Sequence, residues 1–220
     1  MFHWIVDKAF AGKMKSTCSD LVNQLVQAIN KDGALSVRQH LVGSGAKNLI
    51  TQNANQPVDL DYNLEIVESR TYSINDCGGI KEYIRGKFDE VLDRTVWGNC
   101  EDSTSALTTK KRCIVEGNPT KVSIDLCIVR KGAFGSWYRL IHQKTGNAWT
   151  DRYYWNEARQ SSGLEERIRW LKGNDCWLEV REAYLEKKNM YLSRGDHNHP
   201  SFICYIEAVN EVFYKYANAR

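Results

Sequence analysis

The alternating stretch over residues 58–66 constrains the fold of this chain more than any other feature. One side of the alternation is apolar and the other is polar: Val58, Leu60, Tyr62, Leu64 and Ile66 face one way, and Asp59, Asp61, Asn63 and Glu65 face the other. This period is that of a β-strand with one buried face. Same-face neighbours lie about 6.6 Å apart, at roughly 3.3 Å per residue, so Asp59 and Asp61 project side by side. Two adjacent carboxylates repel each other unless a cation lies between them, and oxygen ligands at this spacing suit Mg²⁺.

A second predicted strand, over residues 121–129, carries one more acid. Apolar and polar residues alternate there as well: Val122, Ile124, Leu126 and Ile128 on one face, and Ser123, Asp125 and Cys127 on the other. Asp125 is the only acid between Glu116 and Asp151. If the two strands pair, three carboxylates can converge on one or two metal ions, which can activate an attacking oxygen and hold a leaving phosphate. The alternative is that Asp59 and Asp61 form a solvated strand face and that Asp125 is a surface acid.

A glycine-serine turn completes the pattern. Gly43-Ser44-Gly45 stands before the first acid, with fifteen residues (59 − 44) from Ser44 to Asp59, and Asp125 follows Asp61 by 64 residues (125 − 61). A Gly-Ser turn, then Asp-x-Asp on a strand, then a lone Asp on a later strand resembles the polymerase-β-like nucleotidyltransferase superfamily. The resemblance covers roughly residues 18–130 and extends only loosely to the remainder.

The resemblance assigns a role to the turn. In that superfamily the Gly-Ser turn opens a helix and binds the nucleoside triphosphate, so Gly43, Ser44 and Lys47 are expected nucleotide-binding residues. The physical reason is that glycine lets the backbone approach a ligand and that free N–H groups at a helix start attract anions. Ser44 would donate its hydroxyl to a phosphate. The alternative is a plain turn that binds nothing.

The same resemblance makes Asp59, Asp61 and Asp125 the catalytic and metal-binding residues. The implied reaction is Mg²⁺-dependent (or Mn²⁺-dependent) transfer of a nucleotidyl group from an NTP, with ATP favoured, to a hydroxyl, with release of pyrophosphate. The hydroxyl could belong to an acceptor nucleotide, an RNA end, a protein side chain or a small molecule such as an antibiotic. A nucleotide second-messenger or oligonucleotide synthase fits this description. The alternative function is a non-catalytic nucleotide-binding regulatory module with the same fold.

The C-terminal part is loosely similar to the cyclic-dinucleotide synthases and poly(A) polymerases of this superfamily. In those enzymes a lysine on a C-terminal helix contacts the triphosphate, and a Ser-aromatic pair that opens the next helix holds nucleotide. The matching residues are Lys187 or Lys188 and the pair Ser201-Phe202, with Phe in place of the usual Tyr or Trp. The alternative is that Ser201 caps the helix and that Phe202 belongs to the core. The Asp-His-Asn-His loop over residues 196–199 could ligate a metal, although we favour polar capping of the loop.

The predicted fold class is α/β: a mixed, strongly twisted sheet carries the acids, and helices pack on one side of it. We predict a catalytic core over residues 1–160 and a C-terminal helical subdomain over residues 161–220 that closes the cleft. Periodicity and turn signals give the elements: a helix around 21–29 capped by Ser16 or Thr17 and ended by Gly33, a first strand over 36–42, a helix over 80–96, strands over 106–115 and 121–129, a hairpin of 138–143 and 148–155, and helices starting near 164 and spanning 177–192 and 201–216.

The composition describes a globular chain. Of the 220 residues, 42% are hydrophobic and 26% are charged, which excludes a disordered chain. The net charge of +3 permits a nucleotide or nucleic-acid partner without requiring one. No apolar run approaches the ~18 residues of a membrane span, and the N-terminus lacks a secretory core. Seven cysteines without C-x-x-C spacing favour reduced thiols, so we expect a cytoplasmic protein with no membrane partner.

Overall fold

The computed structural model of the protein describes residues 1–158, 163–197 and 199–217. The chain forms two compact units: a larger unit of Val6–Lys47 and Gln56–Ala158, and a smaller unit of Met1–Ile5, Asn48–Asn55 and Arg159–Arg220. The strands are β1 (Phe2–Trp4), β2 (Leu35–Leu41), β3 (Thr51–Asn53), β4 (Val58–Ser69), β5 (Glu101–Asp102), β6 (Leu107–Thr108), β7 (Arg112–Cys113), β8 (Lys121–Lys131), β9 (Trp137–Gln143) and β10 (Arg152–Glu157). The helices are α1 (Lys8–Asp32), α2 (Gly43–Lys47), α3 (Cys77–Leu92), α4 (Leu164–Gly173), α5 (Trp177–Ser193) and α6 (Ser201–Ala217).

The larger unit is built on a mixed sheet. Its main strands run in the order β10-β9-β8-β4-β2, while β6 and β7 pair with β8 and β5 pairs with β6. Strands β4 and β8 are parallel to each other, and the other pairs of this sheet are antiparallel. A mixed sheet accompanied by helices confirms the predicted α/β fold class.

The apolar faces of β4 and β8 form the centre of the core. Fully buried side chains on this face include Leu60, Tyr62, Leu64, Ile124 and Leu126. Helix α1 contacts β2 and α3, and α3 contacts β9 and β10. Each helix contributes a buried stripe, with Leu21, Leu25 and Ile29 on α1 and Ile80, Ile84 and Phe88 on α3. Because side chains alternate along a strand, the acids of β4 and β8 project from the opposite face.

Helix α1 begins earlier than the sequence pattern predicts. Asp7 caps it, because the Asp7 side chain accepts a hydrogen bond from the Phe10 N–H at 2.9 Å. The prediction of Ser16 or Thr17 as the cap is therefore wrong: apolar residues from Phe10 onward extend the buried stripe upstream, and the helix continues through both hydroxyl residues. The predicted end at Gly33 is confirmed, where a φ of 82° places the residue in the left-handed region that glycine favours.

The strand predicted over residues 106–115 is wrong in its extent. Only β6 and β7 form there. Thr109, directly after β6, interrupts the ladder because its Oγ1 accepts the hydrogen bond of the Ile124 N–H at 2.9 Å. In a continuous antiparallel strand a backbone carbonyl would accept that hydrogen bond. The Thr109 side chain thus takes the place of a backbone carbonyl as the hydrogen-bond acceptor at the point where β6 and β8 separate.

Other predicted elements of the larger unit are observed with shifted ends. The helix predicted over 80–96 is α3, which starts earlier because Asp76 caps it by accepting a hydrogen bond from the Gly79 N–H at 2.9 Å. The strand predicted over 36–42 is β2, although β1 precedes it in the chain. The predicted hairpin is formed by β9 and β10, which pair antiparallel.

A buried network of charged side chains joins α3, β5 and the β9–β10 hairpin. Lys81 is 1% exposed, and its Nζ forms an ion pair with Asp102 Oδ1 at 2.5 Å. The two ring nitrogens of His142 lie 2.5 Å from Asp102 Oδ2 and 2.9 Å from an Asp151 oxygen. Each ring nitrogen of His142 therefore faces one carboxylate. The Tyr153 ring stacks on His142 with the centroids 4.1 Å apart.

The smaller unit is mainly helical. Strands β1 and β3 pair antiparallel, and helices α4, α5 and α6 share a core that includes Leu171, Val180, Tyr184, Ala208 and Val209. These helices match the predicted helical pattern. Residues 161 and 162, at the predicted domain boundary, lie outside the described part of the chain, and the division at residue 160 stays a prediction. None of the helices in the described ranges combines the length and the apolar character that crossing a bilayer requires.

Candidate active site

The two acid-bearing strands lie side by side in the larger unit. In the parallel pairing of β4 with β8, Asp59 lies opposite Ser123 and Asp61 lies opposite Asp125. Paired residues of neighbouring strands project from the same face of a sheet, so Asp61 and Asp125 share one level of that face. Asp59 stands two residues earlier on the same face. The strand pairing on which the predicted three-carboxylate site depends is therefore present.

The carboxylates interact electrostatically. Burial raises the pKa of Asp61 to about 6, and the negative charges of Asp125 and Asp59 contribute to this rise. Arg139 on β9 and Lys47 on α2 lower the same pKa. Burial also raises the pKa of Asp125, with a further contribution from Asp59. Negative charge in a partly buried position favours a bound cation, because a cation relieves both the repulsion and the loss of hydration.

Two hydroxyl groups hold two of the acids. Thr108 Oγ1 donates a hydrogen bond to Asp125 Oδ1 at 2.6 Å, and this hydrogen bond lowers the Asp125 pKa against the effect of burial. Ser123 Oγ donates a hydrogen bond to Asp59 Oδ1. Neither hydroxyl, nor Arg139, is among the site residues predicted from the sequence. Once the register of β4 with β8 is known, Ser123 can be placed beside Asp59. No pattern in the sequence predicts that Thr108 lies beside Asp125.

The donor set of the site fits a divalent cation by its chemistry. Three carboxylates on two adjacent strands are the hard oxygen donors that Mg²⁺ and Mn²⁺ select, and Asp61 lies in the negative field of the other two. Among the residues that the structure describes, no group of three or more His, Cys, Asp and Glu side chains could hold a metal ion as the side chains stand. Asp59 and Asp125 each have one oxygen engaged by a hydroxyl. The assignment of Asp59, Asp61 and Asp125 as metal ligands stays a prediction.

The glycine of the Gly-Ser turn lies directly against the acids. Gly43 has a φ of 62°, and a Cβ built on it would lie 2.3 Å from Asp61 Oδ2. The Val42 N–H donates a hydrogen bond to the Asp61 carbonyl at 2.9 Å, which fixes the turn on β4. Only glycine meets both the backbone and the space requirement at this position. The structure therefore brings the predicted turn and the predicted acid into contact.

The other predicted residues of the turn lie on helix α2. Ser44 is the second residue of this short helix, which starts at the turn as predicted. Lys47 ends the helix, and its Nζ donates a hydrogen bond to the Gly43 carbonyl at 3.3 Å. Burial lowers the Lys47 pKa, and the charge of Asp61 opposes this effect. A cationic side chain thus stands within electrostatic reach of the acids, and phosphate binding by Ser44 and Lys47 stays a prediction.

The predicted C-terminal residues all belong to the smaller unit. Lys187 Nζ forms an ion pair with Glu211 at 2.6 Å. The neighbouring Lys188 donates from Nζ to Thr51 Oγ1 at 2.8 Å, and burial lowers its pKa to about 8. Ser201 is exposed at the start of α6, and the Phe202 ring is 50% exposed. The alternative in which Phe202 belongs to the core is wrong, since half of the ring is in contact with solvent.

The predicted metal or capping loop also lies in the smaller unit. His199 Nδ1 lies 2.8 Å from Asp196 Oδ2, and the His199 ring stacks on Tyr191 with the centroids 3.5 Å apart. Asn198 lies outside the described residues. These contacts join residues of the loop to one another and to Tyr191 of α5, and polar capping by the loop stays a prediction.

An open groove of about 870 Å³ lies elsewhere in the larger unit. Helix α1, residues 94–97 and residues 113–119 line it. No predicted site residue is among the lining residues, and no ligand group identifies an occupant. The candidate site is therefore defined by the acids and the turn rather than by the shape of this groove.

Solved structures similar to this chain are CD-NTases. The structure of E. coli MS115-1 CdnC with ATP matches with a TM-score of 0.57 at 15% sequence identity, over 97% of this chain and 68% of that chain. The 3′-deoxy GTP-bound form of Escherichia coli DncV matches with a TM-score of 0.56 at 11% identity, over 90% and 52%. The Vibrio cholerae DncV cyclic AMP-GMP synthase, in complex with the linear intermediate 5′ pppA(3′,5′)pG, matches with a TM-score of 0.52 at 13% identity, over 81% and 47%.

These likenesses establish the fold. CD-NTases belong to the polymerase-β-like nucleotidyltransferase superfamily, so the resemblance inferred from Gly43-Ser44, Asp59-x-Asp61 and Asp125 is confirmed at the level of the fold. The chain spans about half the length of the DncV structures that it matches. No family model and no curated protein matches the chain.

Proposed function

We propose that this protein transfers a nucleotidyl group from a nucleoside triphosphate to a hydroxyl acceptor and releases pyrophosphate. The observation that carries the proposal is the in-register pair Asp61 and Asp125, with Asp59 on the same face and Gly43 packed against Asp61. Nucleotidyl transfer, like phosphoryl transfer, depends mainly on positioning the reactants and on neutralising the charge of the phosphates. A site with few functional groups therefore suffices, and the CD-NTase fold supports the assignment.

The three acids have distinct roles in this proposal. Asp59, Asp61 and Asp125 hold Mg²⁺ or Mn²⁺, and the bound ions supply charge neutralisation to the triphosphate and lower the pKa of the acceptor hydroxyl. Asp59 and Asp61 serve the triphosphate side. Asp125 orients the acceptor hydroxyl and receives its proton at the oxygen that Thr108 leaves free. Ser44 and Lys47 donate hydrogen bonds to phosphate oxygens from the turn beside Asp61.

Three residues of the smaller unit, taken by itself, are further proposed nucleotide contacts. The exposed Phe202 ring offers a face on which a base can stack, and Ser201 beside it offers a hydroxyl. Lys187, which forms an ion pair with Glu211, offers a cation for a phosphate oxygen. ATP is the proposed donor, in keeping with the nucleotide bound to CdnC. The seven cysteines are all free thiols, which supports a reducing compartment such as the cytoplasm.

The proposed product is a nucleotide second messenger or a short oligonucleotide. The support is that DncV is a cyclic AMP-GMP synthase and was solved with a linear dinucleotide intermediate. In such a reaction the acceptor hydroxyl belongs to a second nucleotide. An RNA end or a small-molecule hydroxyl uses the same three acids, and analysis of the products distinguishes these acceptors.

The test is to incubate the protein with each of the four NTPs, α-labelled, alone and in pairs, with Mg²⁺ or Mn²⁺. We expect pyrophosphate release and a labelled product that resists phosphatase. The Asp59→Asn/Asp61→Asn double variant should lose both the product and metal-dependent NTP binding. The Asp93→Asn variant makes the same substitution at an exposed residue directly after α3, and it should retain both. NTP binding without pyrophosphate release would support the regulatory module instead, and absence of both would overturn the proposal.

A further inference from the structure

Strand β6 presents one hydroxyl directly to an acid of the site. Thr108 is paired with Asp125 in the antiparallel β6–β8 register, and directly opposite residues in such a pair bring their Cβ atoms to about 5 Å. A threonine hydroxyl spans that distance to a carboxylate, as the 2.6 Å hydrogen bond from Thr108 Oγ1 to Asp125 Oδ1 shows. This hydrogen bond engages Oδ1 of Asp125 and not Oδ2.

The two neighbours of Thr108 hold that hydroxyl in place. Leu107 is fully buried and pairs with Leu126. Thr109 is anchored twice to Ile124, through its own N–H at 3.0 Å and through its Oγ1 at 2.9 Å. A strand of only two residues is therefore fixed on both sides of Thr108. Its side chain keeps one position relative to Asp125.

Burial alone does not account for this hydrogen bond. Thr108 is only partly buried, so water could satisfy its hydroxyl without Asp125. The second hydroxyl is different, since Ser123 is completely buried and needs a partner inside the protein. Ser123 finds it in Asp59, an otherwise exposed carboxylate. In both cases a hydroxyl from a neighbouring strand donates to one oxygen of an acid.

We propose that Thr108 and Ser123 are positioning residues for the predicted metal ligands Asp125 and Asp59, each of which they hold through one carboxylate oxygen. This inference rests on the proposed function for the identity of the ligands. The hydroxyls touch neither substrate nor reacting atoms. They act by restricting the rotation of the two carboxylates before the cation arrives, so that binding loses less side-chain freedom. Partners of this kind to metal ligands typically change metal affinity or activity by about 10–100-fold.

The experiment compares variants that differ by one hydroxyl. Thr108→Val keeps the shape of the side chain and removes the hydroxyl, and Thr108→Ser keeps the hydroxyl and removes the methyl. Thr109→Val is the matched control, because it removes the hydrogen bond from the Ile124 N–H to Thr109 Oγ1 without touching an acid. It keeps the Thr109 N–H bond to the Ile124 carbonyl, which still anchors the segment. Mn²⁺ affinity is measured by electron paramagnetic resonance in the absence of nucleotide, together with thermal melting and the kcat and KM of NTP turnover.

We expect Thr108→Val to weaken Mn²⁺ binding by about tenfold or more and to lower kcat more than it changes the KM for NTP. Thr108→Ser should bind Mn²⁺ nearly as the unaltered protein does. Thr109→Val should melt at a lower temperature and bind Mn²⁺ normally. If Thr108→Val does not fold, Ser123→Ala gives the same comparison for Asp59.

Three results would overturn the inference: unchanged Mn²⁺ affinity in Thr108→Val, equal weakening in Thr109→Val, or a parent protein that binds no Mn²⁺. A different result would show that the proposed function fails. A protein that binds Mn²⁺ through Asp125 but releases no pyrophosphate would refute nucleotidyl transfer. The affinity difference between Thr108→Val and Thr108→Ser would still decide whether Thr108 positions the acid.

Discussion

Replacing Asp61 by Asn should stabilise the metal-free protein while removing its function. The variant keeps the size of the side chain, so the packing against Gly43 is preserved. It removes the carboxylate whose pKa burial, Asp125 and Asp59 raise to about 6. The charged form of Asp61 is disfavoured in the folded state, and the amide carries no such penalty. The expected gain in folding stability therefore comes from removing a buried negative charge that the proposed reaction requires.

The magnitude follows from the two pKa values. The folded value of about 6 lies 2.2 above the reference value of 3.8, and at roughly 1.36 kcal/mol per pH unit this corresponds to about 3 kcal/mol. A carboxyl with a raised pKa contributes stability below pH 3.8, and that contribution is lost as the pH rises through about 6. The gain in stability from Asp61→Asn should accordingly be about 3 kcal/mol at pH 8 and less than about 1 kcal/mol at pH 4.

The assay is urea or thermal unfolding in EDTA at pH 4 and pH 8, with Asp93→Asn as the control for a charge removed from an exposed position. For a chain of this size, 3 kcal/mol corresponds to a rise of about 6–12 °C in melting temperature. Saturating Mg²⁺ and NTP should reverse the order of stability, because the ligands bind only the unaltered site. An Asp61→Asn protein that is less stable at pH 8, or equally stabilised at both pH values, would refute the reasoning.

Asp125→Asn should separate binding from chemistry: Mg²⁺–triphosphate affinity should stay within roughly tenfold, while pyrophosphate release should fall by about 100-fold or more. A fully active variant would show that this acid is structural. Phe202→Ala should weaken NTP binding by about 1–3 kcal/mol with little change in melting temperature, because the ring is 50% exposed. Tyr214→Ala, on the same helix and 48% exposed, is its control, and equal losses in both would contradict the stacking role. Gly43→Ala should cost about 1–3 kcal/mol in urea unfolding, since the new Cβ would lie 2.3 Å from Asp61 Oδ2; unchanged stability would mean that the turn relaxes freely.

The strands that carry the acids could be predicted because their signal is local. Apolar and polar residues alternate along β4 and β8 within a few residues. Burial follows that alternation in the first part of β4, where Leu60, Tyr62 and Leu64 are fully buried and Asp59 is exposed. On β8 both faces are largely buried, since Ser123 and Cys127 of the polar face are buried as well. The Gly-Ser turn could be placed for the same reason, since glycine and the short helix after it are contiguous. The order of these local elements was sufficient to identify the superfamily fold.

What could not be predicted depends on contacts between distant residues. Thr108 reaches Asp125 only through the register of a two-residue strand, and Thr109 ends that strand by a side-chain hydrogen bond that no periodicity reveals. The cap of α1 was misplaced because Asp7 competes with two hydroxyl residues inside the helix, and the position of the first buried apolar residue decides between them. The exposure of Phe202 likewise depends on which residues of α6 meet the rest of its unit.

The buried network of Lys81, Asp102, His142 and Asp151 restricts how this family of sequences can diverge. Lys81 forms an ion pair with Asp102, and His142 contacts Asp102 and Asp151; loss of one partner of a buried ion pair costs about 3–5 kcal/mol. Simultaneous replacement by apolar residues of similar volume is often neutral. Related chains should therefore vary at these four positions together, and a chain that has lost Lys81 should also have lost an acid. Strand β5, which supplies Asp102, pairs with β6, and β6 carries Thr108, which contacts Asp125. We therefore expect substitutions in the network to be linked to substitutions in β6.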